Sequence, residues 1–378
     1  MSLYQYYEFR AVDRPLSRTE QDELRKISTR ARITATSFVN HYEWGDFGGD
    51  PDRLMTRYFD LFLYFANFGA RRLSIRLPGR LIDAKGLKRF TSGNDSVTVR
   101  TAGDNVIVDV ILYDIEAEYD DRGDRWLDAL APLRDDILDG DLRPLYLVWL
   151  MAVESGEAPD DAIEPLPGIG PLKPSHEAFA QFFYIDDDLV RAAAEVAPAQ
   201  SVAEPSRQAV AKAIDSLADT EKAAYLLRLY DGDPTVRAEF RRRCRAPTSQ
   251  VGDQQPRRTA GELRAAAERL REERDRAEAK RALAAQRKRE REEAKARDAR
   301  LETLARRGEA AVWRDVEELI GQRNNPAYDQ TAGLLADLRE LALRQGTDDV
   351  FHHRLIELRT RHRTKRRLVE RLTAAGLD

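Results

Sequence analysis

The chain has 378 residues, 42% of them hydrophobic and 34% charged, with a formal net charge of −4. That length and apolar content leave room for two or three domains with a sizeable core. A pI of about 5.9 argues against a nucleic-acid coat protein, whose binding domain is basic throughout. One cysteine, Cys244, excludes an internal disulfide and a cysteine-built zinc site. The longest apolar run, residues 145–153, is far shorter than the ~20 residues a membrane-spanning helix needs. The N-terminus, MSLYQYYEFRAVD, has no charged segment followed by an apolar one, so no signal peptide is predicted and the expected location is cytoplasmic.

In chain order, residues 4–12 alternate Tyr7, Phe9 and Ala11 against Glu8 and Arg10, the pattern of a strand. Ser17 and Glu20 make a capping box that opens a short helix. Residues 34–44 read as a second strand. Asp50-Pro51 is a cap with proline at the first helical position, and Leu54, Met55, Tyr58, Phe62, Phe65 and Ala66 at helical spacing predict a helix that Gly69 stops. Residues 71–77 form a third strand, and residues 96–101 and 105–115 a hairpin. Residues 126–138 and 144–153 are helical. The predicted fold class is α+β: an N-terminal mixed sheet with helices on one face, in a β-α-β-α-β start followed by a hairpin.

The parts assigned to the chain are an α+β domain (residues 1–157), a Pro-rich linker (158–174) and a helical extension (175–246). A polar joint (247–257), a long charged helix (258–308) and a helical C-terminal module (309–378) complete it. The linker carries Pro and Gly at a density that argues against regular structure. The charged helix is almost wholly Glu, Arg, Lys, Ala and Leu, all good helix formers, and would be about 75 Å long. Its Leu263, Ala266 and Leu270 start an apolar seam that dissolves into charge further on. That predicts a solvated helix or weak coiled coil, in a chain that is a monomer or a weak homodimer through this helix.

Two stretches carry a resemblance. PAYDQTAGLLADLRELALRQGTDDVFHHRLIELRTRHRTKRRLVERLTAAGL, at the C-terminus, resembles the tail of bacterial SWIM zinc-finger proteins. LADTEKAAYLLRLYDGDPTVRAEFRRR and the N-terminal half resemble an uncharacterised bacterial family. The zinc finger itself needs several cysteines and a histidine, so with Cys244 alone its metal does not carry over.

Phe183-Tyr184-Ile185-Asp186-Asp187-Asp188 has the look of an aromatic-Asp-Asp metal turn, but a helix follows, and acids there serve as caps. Asp109 alternates with Val108 and Val110 on a strand, and Asp114 and Glu116 share a parity further on, acids such as line a wet sheet face. His352 and His353 fall on different faces of a helix, and His362 sits nearby in the basic tail. Cys244, flanked by arginines, would have a lowered pKa if exposed. Gly168 and Gly170 lie among prolines and make no dinucleotide fingerprint. The first candidate for a ligand is the loop His41, Tyr42, Glu43, Trp44 and Asp46; Arg241, Arg242, Arg243, Arg361, Lys365, Arg366 and Arg367 are candidate anion contacts. No catalytic residue, cofactor or metal is assigned. The expected function is a non-enzymatic adaptor for protein partners, with nucleic acid as a further partner and no membrane; the alternative is a metal-dependent nuclease or nucleotidyltransferase using acids of the N-terminal sheet.

Overall fold

The computed structural model describes residues 4–82, 84–91, 93–113, 122–196, 206–244 and 256–378. Its N-terminal part is built on β1 (Gln5–Arg10), β2 (Arg32–Ile33), β3 (Ser37–Tyr42), β4 (Leu61–Ala66), β5 (Ala70–Pro78), β6 (Val97–Ala102) and β7 (Asn105–Leu112). They form one sheet in the order β2-β3-β1-β4-β5-β7-β6, with every neighbouring pair antiparallel. The α+β class is as predicted; the mixed sheet is not, because tight turns at residues 67–69 and 103–104 return β5 beside β4 and β7 beside β6, and β1 lies antiparallel between β3 and β4.

Both predicted caps form. Ser17 accepts the Glu20 N–H at 3.2 Å while the Glu20 carboxylate accepts the Ser17 N–H at 2.8 Å, opening α1 (Arg18–Ile27). Asp50 accepts from the N–H groups of Asp52 and Arg53 to open α2 (Pro51–Arg57). The helix expected to reach Ala66 ends at Arg57, however, and residues 61–66 are the strand β4. LFLYFA is a short apolar run buried on both sides, which helical spacing alone does not distinguish from a helix.

The two-residue period of the strands gives the sheet two apolar faces, and helices cover both rather than one. On one face Tyr7, Phe9, Phe38, Phe62 and Ile107 meet Leu24 of α1 and Leu54 and Met55 of α2. On the other, Leu63, Phe65, Leu73, Ile75, Val108 and Val110 meet a helical layer. That layer comprises α3 (Lys88–Thr91), α4 (Trp126–Leu130), α5 (Pro132–Leu138), α6 (Arg143–Ser155), α7 (Pro174–Phe182) and α8 (Asp187–Ala194). α6 is buried over nearly its whole length, from Arg143 to Val153.

The proline-rich stretch is no linker. Ile169 is fully buried, its N–H donates to the Ala193 carbonyl at 3.1 Å, and the Gly170 N–H donates to Val196. Gly168, at φ +120°, passes so close to the Val196 carbonyl that a Cβ would overlap it. Residues 158–174 thus fill a gap between α6 and α8 without regular hydrogen bonding.

The same stretch receives the start of the charged helix, α12 (Ala260–Arg307). Thr259 bridges to Ile163 in antiparallel fashion, and the Glu164 N–H donates to the Arg258 carbonyl at 2.9 Å. The Glu164 carboxylate, fully buried, accepts from the Tyr146 hydroxyl at 2.5 Å and from Arg258 at 2.8–3.3 Å. Ala260 and Leu263 are fully buried, Ala267 nearly so, and Ala266 and Leu270 pack against the same core. The predicted dimer seam is therefore spent inside the chain. Of the predicted joint, residues 247–255 lie outside the described residues.

Two compact units result, residues 1–274 and 275–378. Residues 272–300 of α12 are exposed throughout. In the second unit Leu301 and Leu304 are buried again. There α12 is joined by α13 (Glu309–Gly321), α14 (Asn325–Gln345), α15 (Asp348–Arg361) and α16 (Arg366–Ala374) around a core that includes Val316, Leu335, Phe351, Leu358 and Leu368. Among the described residues no helix is long and apolar enough to cross a membrane.

Candidate functional site

The predicted ligand loop is fastened from below. Gln5, nearly buried, donates to the Gly45 carbonyl at 3.2 Å and to Asp46 at 2.9 Å, while its own carbonyl accepts from Tyr7 and Tyr64. Tyr42 accepts from Asn40 at 2.7 Å. His41 and Glu43 are exposed, and Trp44 is 74% exposed. Tyr42 and Asp46 are thus held as structure, whereas His41, Glu43 and Trp44 face solvent.

The sheet acids do not assemble a metal site either. Asp109 is buried, not on a wet face: it accepts from Arg72 at 2.6 and 2.8 Å and from Ser74 at 2.6 Å. Asp114 and Glu116 lie outside the described residues. In the aromatic-Asp-Asp turn Asp186 caps α8, accepting the Leu189 N–H at 2.9 Å, and Asp188 pairs with Arg274 at 2.5 Å. This is the cap predicted, with a second duty of holding α12.

Among the described residues, three ligand-type groups converge at one place that sequence reading passed over. Asp136 of α5, Asp141 just beyond it and His176 of α7 each bring an atom within 4.8 Å of the others. The position a cation would take is already filled. The Lys173 ammonium lies 2.6 Å from Asp136 and 2.9 Å from Asp141, and Arg143 grips Asp141 at 2.6 and 2.8 Å.

Electrostatics follow the geometry. Burial would raise both carboxyls, but Arg143 and Lys173 hold Asp141 well below the usual range, and His176 and Lys173 hold Asp136 below it. Burial would lower Lys173, but the two carboxylates raise it. The His176 ring is fully buried, and its Nδ1 accepts the Lys173 N–H at 3.3 Å. In the neutral ring this assigns the hydrogen to Nε2, which faces Asp136 at 3.6 Å and has no lone pair left for a metal. The cluster clamps α5 to α7 with the chain's own cation. Its members straddle the stretch read as linker, which hid them; the spacing of Lys173 and His176 around Pro174 was the available signal.

The candidate anion contacts divide into two groups. Arg241 pairs with Asp139 at 2.5 Å, Arg242 donates to the Leu138 carbonyl at 2.8 Å, and Arg243 pairs with Glu221 at 3.0 Å. These three seat α11 (Val236–Cys244) and are not free for an anion. Cys244 at its end is buried, and burial raises its thiol pKa, opposite to the lowering expected of an exposed one.

In the tail, Arg361 and His362 share Glu317 at 2.7 and 2.8 Å. Beyond them the cations crowd together. The turn from α15 to α16 lies against the turn from α13 to α14, because the Lys365 ammonium donates to the Ile320 carbonyl at 3.3 Å and Arg367 donates to Asn325 at 3.3 Å. Arg323, Arg363, Arg366 and Arg367 are all exposed at this corner. Burial and the neighbouring Arg323 charge pull the Lys365 ammonium below its ordinary range. Arg323 also sits at φ +56°, a left-handed backbone that suits glycine and costs an arginine about 1 kcal/mol. No protein-family model, curated protein or solved structure matches the chain.

Proposed function

We propose that this protein is a non-enzymatic binding protein, an adaptor whose second unit grips an anionic polymer, nucleic acid. The observation that supports this reading is the basic corner: Arg323 in a backbone glycine would occupy more easily, set against a Lys365 whose charge it disfavours. Strain and like-charge crowding are costs, and a phosphate backbone is the kind of partner that offsets the second of them. The charge balance agrees. Residues 275–378 hold 24 Lys and Arg against 19 Asp and Glu, while residues 1–274 hold 38 against 47. The converging acids Asp136 and Asp141 are neutralised within the chain and support no metal-dependent chemistry.

The test is fluorescence anisotropy with labelled 20-nucleotide single- and double-stranded probes. If the four exposed arginines neutralise about four phosphates, affinity falls roughly a hundredfold between 50 and 200 mM salt. Replacing Arg363 and Arg366 by Glu abolishes binding at 200 mM, whereas Arg243→Ala leaves it unchanged. No binding at 50 mM salt, or binding indifferent to the Arg363/Arg366 substitutions, overturns the proposal.

A further inference from the structure

The lobe formed by α9 (Arg207–Asp215), α10 (Asp219–Tyr230) and α11 carries an apolar face that no other described residue covers. α10 has no buried residue. Its inner side rests on α11 through an edge-on contact of Tyr225 with Phe240, ring centroids 5.6 Å apart. The outer side is a stripe at positions i, i+3, i+4 and i+7: Ala223, Leu226, Leu227 and Tyr230. Leu226 and Leu227 are 66% and 63% exposed, and Tyr230 is 89% exposed. Isolated exposed leucines are ordinary, but a contiguous stripe of this kind marks a binding face.

We infer that this face binds a second copy of the chain, α10 packing antiparallel on α10 about a two-fold axis between Leu226 and Leu227. The stripe is graded in size, small at Ala223 and large at Tyr230. A two-fold axis at its midpoint sets each tyrosine over the other copy's alanine and each Leu226 on the other copy's Leu227, so large fills small. A parallel pairing would place tyrosine on tyrosine and leave a gap at the alanines. The antiparallel one also brings Lys222, which among the described residues pairs with the 98% exposed Asp219, to the level of Asp231 in the other copy. Four exposed side chains offer a few hundred Å² per copy, below the roughly 800 Å² per partner of a stable complex. The pairing is therefore reversible, in the range of tens to hundreds of micromolar.

Sedimentation velocity on the full chain from 1 to 300 µM tests this. The weight-average sedimentation coefficient should rise with concentration from the monomer value toward that of a dimer. Leu226→Glu with Leu227→Glu should remain monomeric at 300 µM; both positions are exposed, so circular dichroism should stay native. Lys222→Glu should weaken association severalfold. Mixed Ala223→Cys and Tyr230→Cys proteins should form a disulfide-linked dimer that Ala223→Cys by itself does not. A wild-type chain that stays monomeric at 300 µM overturns the inference, as does a Leu226/Leu227 double variant that associates like the wild type. A cross-link of Ala223→Cys to itself overturns the antiparallel arrangement. None of these readouts involves nucleic acid, so failure here leaves the basic-corner proposal to its own test.

Discussion

Replacing Leu263 by Ala tests the claim that the long helix begins inside the first unit. As the start of a solvated rod, Leu263 would be exposed and the change harmless, since alanine is at least as good a helix former as leucine. In the structure Leu263 is fully buried in the core shared with Trp126 and Trp149. Removing a fully buried leucine side chain costs about 2–5 kcal/mol, the sum of lost transfer energy and a residual cavity. At ~3 kcal/mol and about 2 °C per kcal/mol for a unit of this size, the melting temperature should drop roughly 6 °C. The assay is urea unfolding followed by tryptophan emission, because the two buried tryptophans belong to this core. Leu283→Ala, on the same helix but 49% exposed, is the control and should move stability by less than about 0.5 kcal/mol. Leu263→Glu should be more damaging still, through an unpaired buried charge. Equal, negligible effects of Leu263→Ala and Leu283→Ala would refute the docked helix and restore the free rod.

Two further outcomes concern the charged clusters. Asp141 has its carboxyl held below the unfolded value of 3.8 by Arg143 and Lys173, so the unfolded chain binds protons more readily. Its stabilisation is present above about pH 5 and is lost as the pH falls below 4; Asp141→Asn should cost about 3–5 kcal/mol at pH 7, with the gap to wild type closing in urea titrations toward pH 2. Arg323→Gly should stabilise the second unit by about 0.5–1 kcal/mol by relieving the left-handed strain, yet weaken nucleic-acid binding in the same preparation; a variant that binds as well as wild type would detach Arg323 from that role.

The sequence was most legible where local chemistry decides the outcome. Ser17 with Glu20, Asp50 with Pro51, and Asp186 before α8 are caps whose partners lie within three residues, and all three form. The helical character of residues 309–378 was also legible, and α13 to α16 form there. Errors arose where a local pattern had two physical readings. Phe62, Phe65 and Ala66 fit a helical stripe, yet the run they belong to is a strand buried from both sides. Leu263 and Leu270 fit a heptad seam, yet their partner is a neighbour within the chain. Pro and Gly in residues 158–174 do rule out helix and strand; they do not rule out burial, because side chains such as Ile169 still fill a core. The cluster of Asp136, Asp141, Lys173 and His176 depends on that misread stretch: spacing pairs Lys173 with His176 around Pro174, but only the contact of α5 with α7 brings Asp136 and Asp141 to them.

Cys244 gives the molecule a built-in clock. It is the sole thiol, is the last residue of α11, the helix held by Arg241 and Arg242, and is shielded enough that burial raises its pKa. A thiol reagent reaches it when α11 lifts from its seat. The ratio of the observed modification rate to that of a free thiol is then the fraction of time the helix spends open, which is an opening free energy for one lobe. Because no second cysteine competes, that number comes from intact protein in native buffer, without denaturant or engineered probe. Modification much faster than global unfolding would mark α9–α11 as a separately opening element. Modification at the global rate would make the lobe part of the cooperative core.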